Sequence, residues 1–366
     1  MNKVKEKVVT VGEKITDKLP DKLRRNRHKK PPARITSDTV EEHREKVLAS
    51  GRKFKYPLQY TKHKIIINTI IVVIVTMIAF GGWLWYMLYP RQATSDFFYS
   101  ATKILSLPVA NVDGQKVPYA DYLRRMRSAI FYKENHEKVD FSTNDGRREL
   151  NYLKRDELNK AERVAYATKI AKSKNLTISD EEINAEVDKD LRDSNGETMT
   201  PTEYENYVLQ RYFGWTTADY RAELKNQLLE RKVAFAVDTA AKAKITEAAA
   251  RLQAGDDFAT VAREMSDDDI TREVGGGVSA QTGDADPNGL VAIARELGDN
   301  AISDVIQGVD GYYIVKLGSK TDDTTNYLMI KVVLRQFNDD FNKLRKAGKI
   351  KEYIKVPEFN DIGKSS

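Results

Sequence analysis

Residues able to do chemistry are sparse in this chain of 366 residues. There is no cysteine, which excludes thiol catalysis, a cysteine metal centre and disulfide bracing. The four histidines are His28, His43, His63 and His136, and three of them fall within the first 64 residues, so no histidine-rich centre is available to the rest. Carboxylates cluster at Asp256 and Asp257 and again from Asp267 to Asp269, but without the alternating oxygen ligands and distal Glu of a calcium loop. The glycine run after Val274 lacks the Lys-Ser/Thr of a phosphate-binding loop. No cofactor and no metal are expected. The densest group is aromatic: Tyr204, Tyr207, Tyr212, Phe213 and Trp215. Such rings bury large area at small entropic cost and suit a surface that grips apolar segments of another chain. Ordinary helical core is the competing reading.

The elements that must position these residues begin with a membrane span. Ile65 to Tyr89 carries no charge over 25 residues, enough at about 1.5 Å per residue to cross a hydrocarbon layer of about 30 Å. Trp83, Trp85, Tyr86 and Tyr89 crowd one end, where amphipathic rings settle at headgroup level. Residues 1–64 hold 19 Lys and Arg against 8 Asp and Glu, a balance of +11, while the whole chain is +6, leaving −5 beyond the span. Charge asymmetry of this kind places the N-terminus in the cytoplasm and the larger C-terminal part outside. The span reads as an uncleaved signal anchor of the cell membrane, since no small-x-small cleavage site follows it. Within the tail, Val4, Val8, Ile15 and Leu19 recur near helical spacing, and Lys22 to Ile35 is a basic run ending in a proline pair, expected to be disordered. Anionic lipid is one partner for this run; without interleaved aromatics we expect no nucleic-acid module, and a topogenic charge cluster is the plainer reading.

Beyond a linker at 90–108, two domains are expected, at 109–238 and 239–356. The first opens with two short strands around an Asp113-Gly114 turn and continues as helices. Leu150, Leu153, Leu158, Val164, Ala167 and Ile170 form one buried stripe. Helix starts are predicted at Ser179 with Glu182, Thr200 with Pro201 and Glu203, and Thr216 with Asp219.

In order, VANVDGQKVPYADYL, IAKSKNLTISDEEINAEVDKDL and FGWTTADYRAELKNQLLERKV resemble the N-terminal chaperone domain of the SurA, PrsA and PpiD class of exported foldases. Residues 242–318 extend the likeness: KAKITEAAARLQAGDDFATVAREMSDDD, VGGG and AISDVIQGVDGYYIVKL are similar to the parvulin prolyl isomerase pattern. The resemblance implies an α+β protein with one N-terminal transmembrane helix, a mainly helical SurA-N-like domain and a parvulin-like α+β domain. A helix should end at Gly255, a second should turn Phe258, Val261 and Met265 inward, a third should span Leu290 to Leu297, and a strand should run from Tyr312 to Leu317.

Parvulins surround the proline with two histidines, an Asp or Cys, a Met and a Phe. Here the resemblance puts Tyr313 at the closing-strand histidine, Gly277 at the loop aspartate, Asp286 near the pocket methionine and Leu290 near its phenylalanine. The first strand has two candidates. KVAFAV at Lys232–Val237 would put Ala234 at the other histidine position; NYLMIKVVL at Asn326–Leu334 has better strand character and would enter the sheet from the C-terminal side, a circular rearrangement. Neither contains a histidine. Isomerase activity is therefore expected to be weak or absent, with Tyr313 the one catalytic candidate and Tyr204, Tyr207, Tyr212, Phe213, Trp215 and Leu290 the substrate-binding candidates. The family likeness implies a membrane-anchored chaperone for newly exported, unfolded polypeptides. The alternatives are a true isomerase with a rebuilt pocket that uses Tyr313 with Asp284 or Asp286, or an envelope scaffold with one dedicated partner.

Overall fold

The structure is a computed structural model and describes residues 36–362 apart from 56, 193–196, 282–283 and 299. The Val4–Leu19 stripe and the basic run Lys22–Ile35 lie outside the described residues. The chain divides into two units, one up to Phe80 and one from Gly81 onward. The first contains a helix, Ser37–Lys55, with Asp38 in its first turn. A second helix runs from Pro57 to Leu88, and its stretch His63–Leu88 is long and apolar enough to cross a membrane.

The second unit starts with the last turns of that helix. Leu84 and Leu88 are buried in a core shared with Phe98, Tyr99, Val109, Val112, Tyr119, Leu123 and Met126. Tyr119 donates its hydroxyl to the Leu88 carbonyl at 2.5 Å, and Tyr89 donates to the Pro108 carbonyl at 2.8 Å. The segment expected as a linker is therefore structured: residues 96–105 form a helix, Asp96–Leu105, whose Phe98, Tyr99 and Thr102 are buried. Next come β1 (Pro108–Val112) and β2 (Gln115–Pro118), antiparallel, with Ala110 opposite Val117. Asp113 and Gly114 take φ of 45° and 92°, the left-handed pair that a two-residue hairpin turn requires.

The helices follow as the sequence suggests. Asn144–Lys174 buries Leu153, Leu158, Val164 and Ala167. Asp180–Asp190, Pro201–Tyr204 and Thr217–Val237 each start at a reciprocal capping box, on Ser179 and Glu182, Thr200 and Glu203, and Thr216 and Asp219. Residues Glu205–Phe213 continue the short second helix as a π-helix closed by Gly214. The Thr217–Val237 helix includes Lys232–Val237, so KVAFAV is not a strand and Ala234 stands at no strand position.

In the second domain, Thr239–Gln253 and Phe258–Met265 bury Ile245, Leu252, Phe258, Val261 and Met265. β3 (Gly277–Gln281), β4 (Ile306–Gln307), β5 (Gly311–Lys320) and β6 (Thr324–Val333) form an antiparallel sheet in the order β3-β6-β5-β4. NYLMIKVVL thus takes a central place in the sheet from the C-terminal side.

The chain then leaves this domain. The helix Gln336–Lys346 packs Phe337 on Ala167, Ala171 and Val233, and Phe341 joins the core of β1 and the Tyr119–Asn135 helix. β7 (Ile350–Glu352) pairs antiparallel with β1, Val112 opposite Ile350, and completes the sheet β2-β1-β7. Arg155, 1% exposed, clamps this return: it donates to Glu352 Oε1 at 2.6 Å and to the Val356 and Pro357 carbonyls at 2.5 and 3.0 Å. A buried guanidinium is tolerable only when its donors are met in this way. Within 239–356, expected as the second domain with a C-terminal strand and helix, Phe341, Ile350, Ile354 and Val356 pack in the first core.

Candidate functional site

The parvulin-like sheet has two covered faces. Tyr312, Ile314, Ile330 and Val332 face the helices Thr239–Gln253 and Phe258–Met265. The opposite face, with Tyr313, Val315, Tyr327 and Ala280, is closed by Leu290 and Ala294 of the helix Leu290–Glu296. Tyr313 is 2% exposed. Its hydroxyl donates to Asp310 Oδ1 at 2.5 Å and accepts from Asn288 Nδ2 at 3.4 Å. Burial and the bond to Asp310 push its phenol up, so it holds its proton. Gly308 presses on it from the β4–β5 side, where a Cβ would lie 2.5 Å from both the ring and Asn288 Oδ1.

The other pocket candidates have structural work. Asp286 caps the Leu290–Glu296 helix, accepting from the Leu290 and Val291 amides at 2.7 and 2.8 Å, and Asp284 accepts from the Gln281 amide at 2.7 Å. Gly277 opens β3. The acidic clusters are similarly occupied. Asp257 and Asp268 cap helices through the Thr260 and Thr271 amides, Asp256 pairs with Arg251, and Asp267 binds Lys244 and the Val333 amide. Among the described residues no group of three His, Asp or Glu is placed to hold a metal.

The aromatic candidates divide. Tyr204 packs on Tyr220 in the core with Ile183, Leu209 and Leu224. Trp215 stacks on Phe213 at 5.1 Å and donates its indole N–H to the Arg124 carbonyl at 3.3 Å. Tyr212 stacks on His136 at 4.8 Å, and Tyr207 is mostly exposed. Phe213 and Trp215 rim a hollow of about 80 Å³ with Tyr99, Arg124 and Asp219. Leu290 lies in a different cluster, so the six substrate-binding candidates do not form one surface.

A larger site lies where none was expected. A crevice of about 450 Å³ runs between the Thr217–Val237 helix and the end of β6 with the β4–β5 turn. Leu224, Leu228, Ala234, Leu334 and Phe337 give it an apolar floor, and Val309 overhangs it, half exposed. Its rim is ionic: Arg163 donates through Nε to Glu230 at 3.0 Å, and Arg231 pairs with Glu186 at 3.2 Å. That volume suits a few residues of peptide, with apolar contacts inside and charge-assisted hydrogen bonds at the edge. The Leu224, Leu228 and Arg231 spacing on one helix is readable in the sequence, but Val309, Val333 and Phe337 are brought opposite only by the sheet and the C-terminal return.

Comparison with known proteins agrees with the two-domain order. Residues 58–234 match the SurA-like N-terminal domain, and residues 230–319 match the PPIC-type PPIase domain. The second match begins inside a helix and stops before β6, as expected if the first strand of the family sheet has been replaced from the C-terminal side. Foldase protein PrsA of Caldanaerobacter subterraneus subsp. tengcongensis is 25% identical over 277 residues, covering 67% of this chain and 87% of the relative. Foldase protein PrsA of Streptococcus gordonii is 34% identical over 123 residues, covering 32% of this chain and 38% of the relative. A crystal structure of peptidylprolyl isomerase (PrsA) from Bacillus anthracis is 20% identical, covers 50% of this chain and 85% of that chain, and has a TM-score of 0.16, too low to bear on domain arrangement. The chain therefore carries a SurA-like N-terminal domain followed by a PPIC-type parvulin domain, a combination that supports a SurA/PrsA-like foldase.

Proposed function

We propose that the protein is a membrane-anchored chaperone of the extracytoplasmic face, which binds unfolded, newly exported polypeptide in the crevice between its two domains and has little or no prolyl isomerase activity. The carrying observation is the pairing of an open, apolar-floored crevice with a parvulin face filled by Tyr313, Leu290 and Tyr327. Prolyl isomerisation requires a dry pocket that favours the twisted amide over the planar one. A 2% exposed tyrosine bonded to Asp310, at the position where the family has a histidine, supports weak or absent activity. The curated relatives bear the name foldase, which supports a polypeptide ligand. The anchor is the Ile65–Tyr89 stretch, oriented by the charge asymmetry across it.

The test is suppression of client aggregation by the full chain in nanodiscs, compared with Val309→Trp. Val309 is 51% exposed, so the indole fills the crevice without entering a core. Protection by the wild type and its loss in the variant are expected; equal protection by both places binding elsewhere.

A further inference from the structure

The helix Asp96–Leu105 has two apolar faces. Phe98 and Tyr99 are in the first core, while Phe97, Ile104 and Leu105 point outward with exposures of 52%, 81% and 51%. On a helix, positions 97, 104 and 105 lie within one stripe. An apolar stripe on an already docked helix has no use in water, and clustered exposure of this size marks a contact surface.

The adjoining elements indicate what covers it. Only residues 89–95 separate this helix from the end of Pro57–Leu88. They are folded back rather than extended: the Ala93 amide bonds the Met87 carbonyl at 2.9 Å, and Gln92 Nε2 donates to the Lys355 carbonyl at 2.8 Å. Phe97 and Phe98 lie 6.0 and 5.6 Å from the Trp83 ring, centroid to centroid. The start of the stripe is thus level with Trp83, and Trp85 and Tyr86 are also exposed there. Tryptophan and tyrosine at the end of an apolar span sit among lipid headgroups. Arg91, just before the helix, and Lys103, on it, are both exposed and add positive charge suited to anionic lipid.

We infer that the outer face of the Asp96–Leu105 helix, Phe97 with Ile104 and Leu105, lies in the headgroup–acyl boundary of the same bilayer that the anchor crosses, so that the first domain rests on the membrane surface rather than hanging from a tether. This rests on the proposed membrane anchor, and the experiment separates the two. The protein contains no cysteine, so Val75→Cys, Ile104→Cys and Ile270→Cys each give a single site for an environment-sensitive fluorophore. Ile270 is 84% exposed in the second domain and serves as the solvent control. The full chain is reconstituted into phosphatidylcholine–phosphatidylglycerol vesicles containing nitroxide lipids labelled either near the headgroup or deep in the acyl chain. Expected are loss of emission at position 75 with the deep label, loss of emission and a blue shift at position 104 with the shallow label, and no change at position 270. Quenching at 75 without quenching at 104 overturns the surface contact and leaves the anchor standing. No quenching at either overturns both. Equal quenching at 104 and 270 overturns the specific role of this helix.

Discussion

Replacing Phe341 with alanine tests whether the first domain closes around the C-terminal end of the chain. Phe341 is 4% exposed in the core that contains Val109, Val112, Tyr119 and Leu123, its ring 5.9 Å from Tyr166 and 5.5 Å below the Arg345 guanidinium. Deleting a buried phenyl removes its transfer free energy and leaves a cavity, together about 3–5 kcal/mol. Against a total stability of about 5–15 kcal/mol this is a large fraction, and at roughly 2–4 °C per kcal/mol the midpoint should fall by about 6–20 °C. The location of the loss is more telling than its size. Amide hydrogen exchange should accelerate in β1, at Ala110 and Val112, some 230 residues away in sequence, because β1 is held between β2 and β7. Phe258→Ala, at 3% exposure in the other core, should instead release β5 and β6. If Phe341→Ala leaves β1 protection unchanged while loosening β5 and β6, the discontinuous first domain is wrong.

The same C-terminal helix carries a pH dependence. Glu162 is fully buried against Arg345, one carboxylate oxygen without a partner, and burial pushes its carboxyl up to about 7 despite the pull of Arg345. Because the folded value exceeds the ordinary one, its contribution is complete below pH about 4.5 and is lost as pH rises through about 7, worth about 3 kcal/mol. Denaturant titrations from pH 5 to 8 should show this decline in the wild type and a flatter profile in Glu162→Gln; parallel profiles would refute the assignment. Tyr313→Phe removes the hydroxyl that donates to Asp310 and should cost about 0.5–1.5 kcal/mol, the half-exposed carboxylate keeping its pair with Lys331. Exchange NMR on a short Xaa-Pro peptide should show no acceleration by either form, whereas catalysis abolished by this substitution would restore the enzyme reading.

Much of this architecture is written locally. The three capping boxes, the Asp113-Gly114 hairpin and the inward Phe258, Val261 and Met265 each follow from a few neighbouring residues, and each forms as those residues dictate. What escaped depends on distant partners. KVAFAV is a short apolar run of the kind periodicity cannot assign, and it becomes helix because it prolongs the turns begun at Thr216 and buries Val233 against Ala167 and Ala171. β7 is three residues long, too short for alternation to show, and exists because β1 and Arg155 lie opposite it. The Asp96–Leu105 helix was hidden by its outward apolar residues, which blur a one-sided stripe. Tyr313 illustrates the limit for the site: alignment supplies its position on the sheet, but only packing reveals that the position is closed.

The central claim is that polypeptide enters the crevice beside Val309. A photoreactive benzophenone placed on Val309→Cys, or on Ile270→Cys as a comparably apolar exposed site, would be irradiated in the reconstituted chain with an unfolded client present. The account predicts client adducts at 309 and few at 270. Adducts at 270 equal to or exceeding those at 309, in a chain that still protects the client, would contradict it.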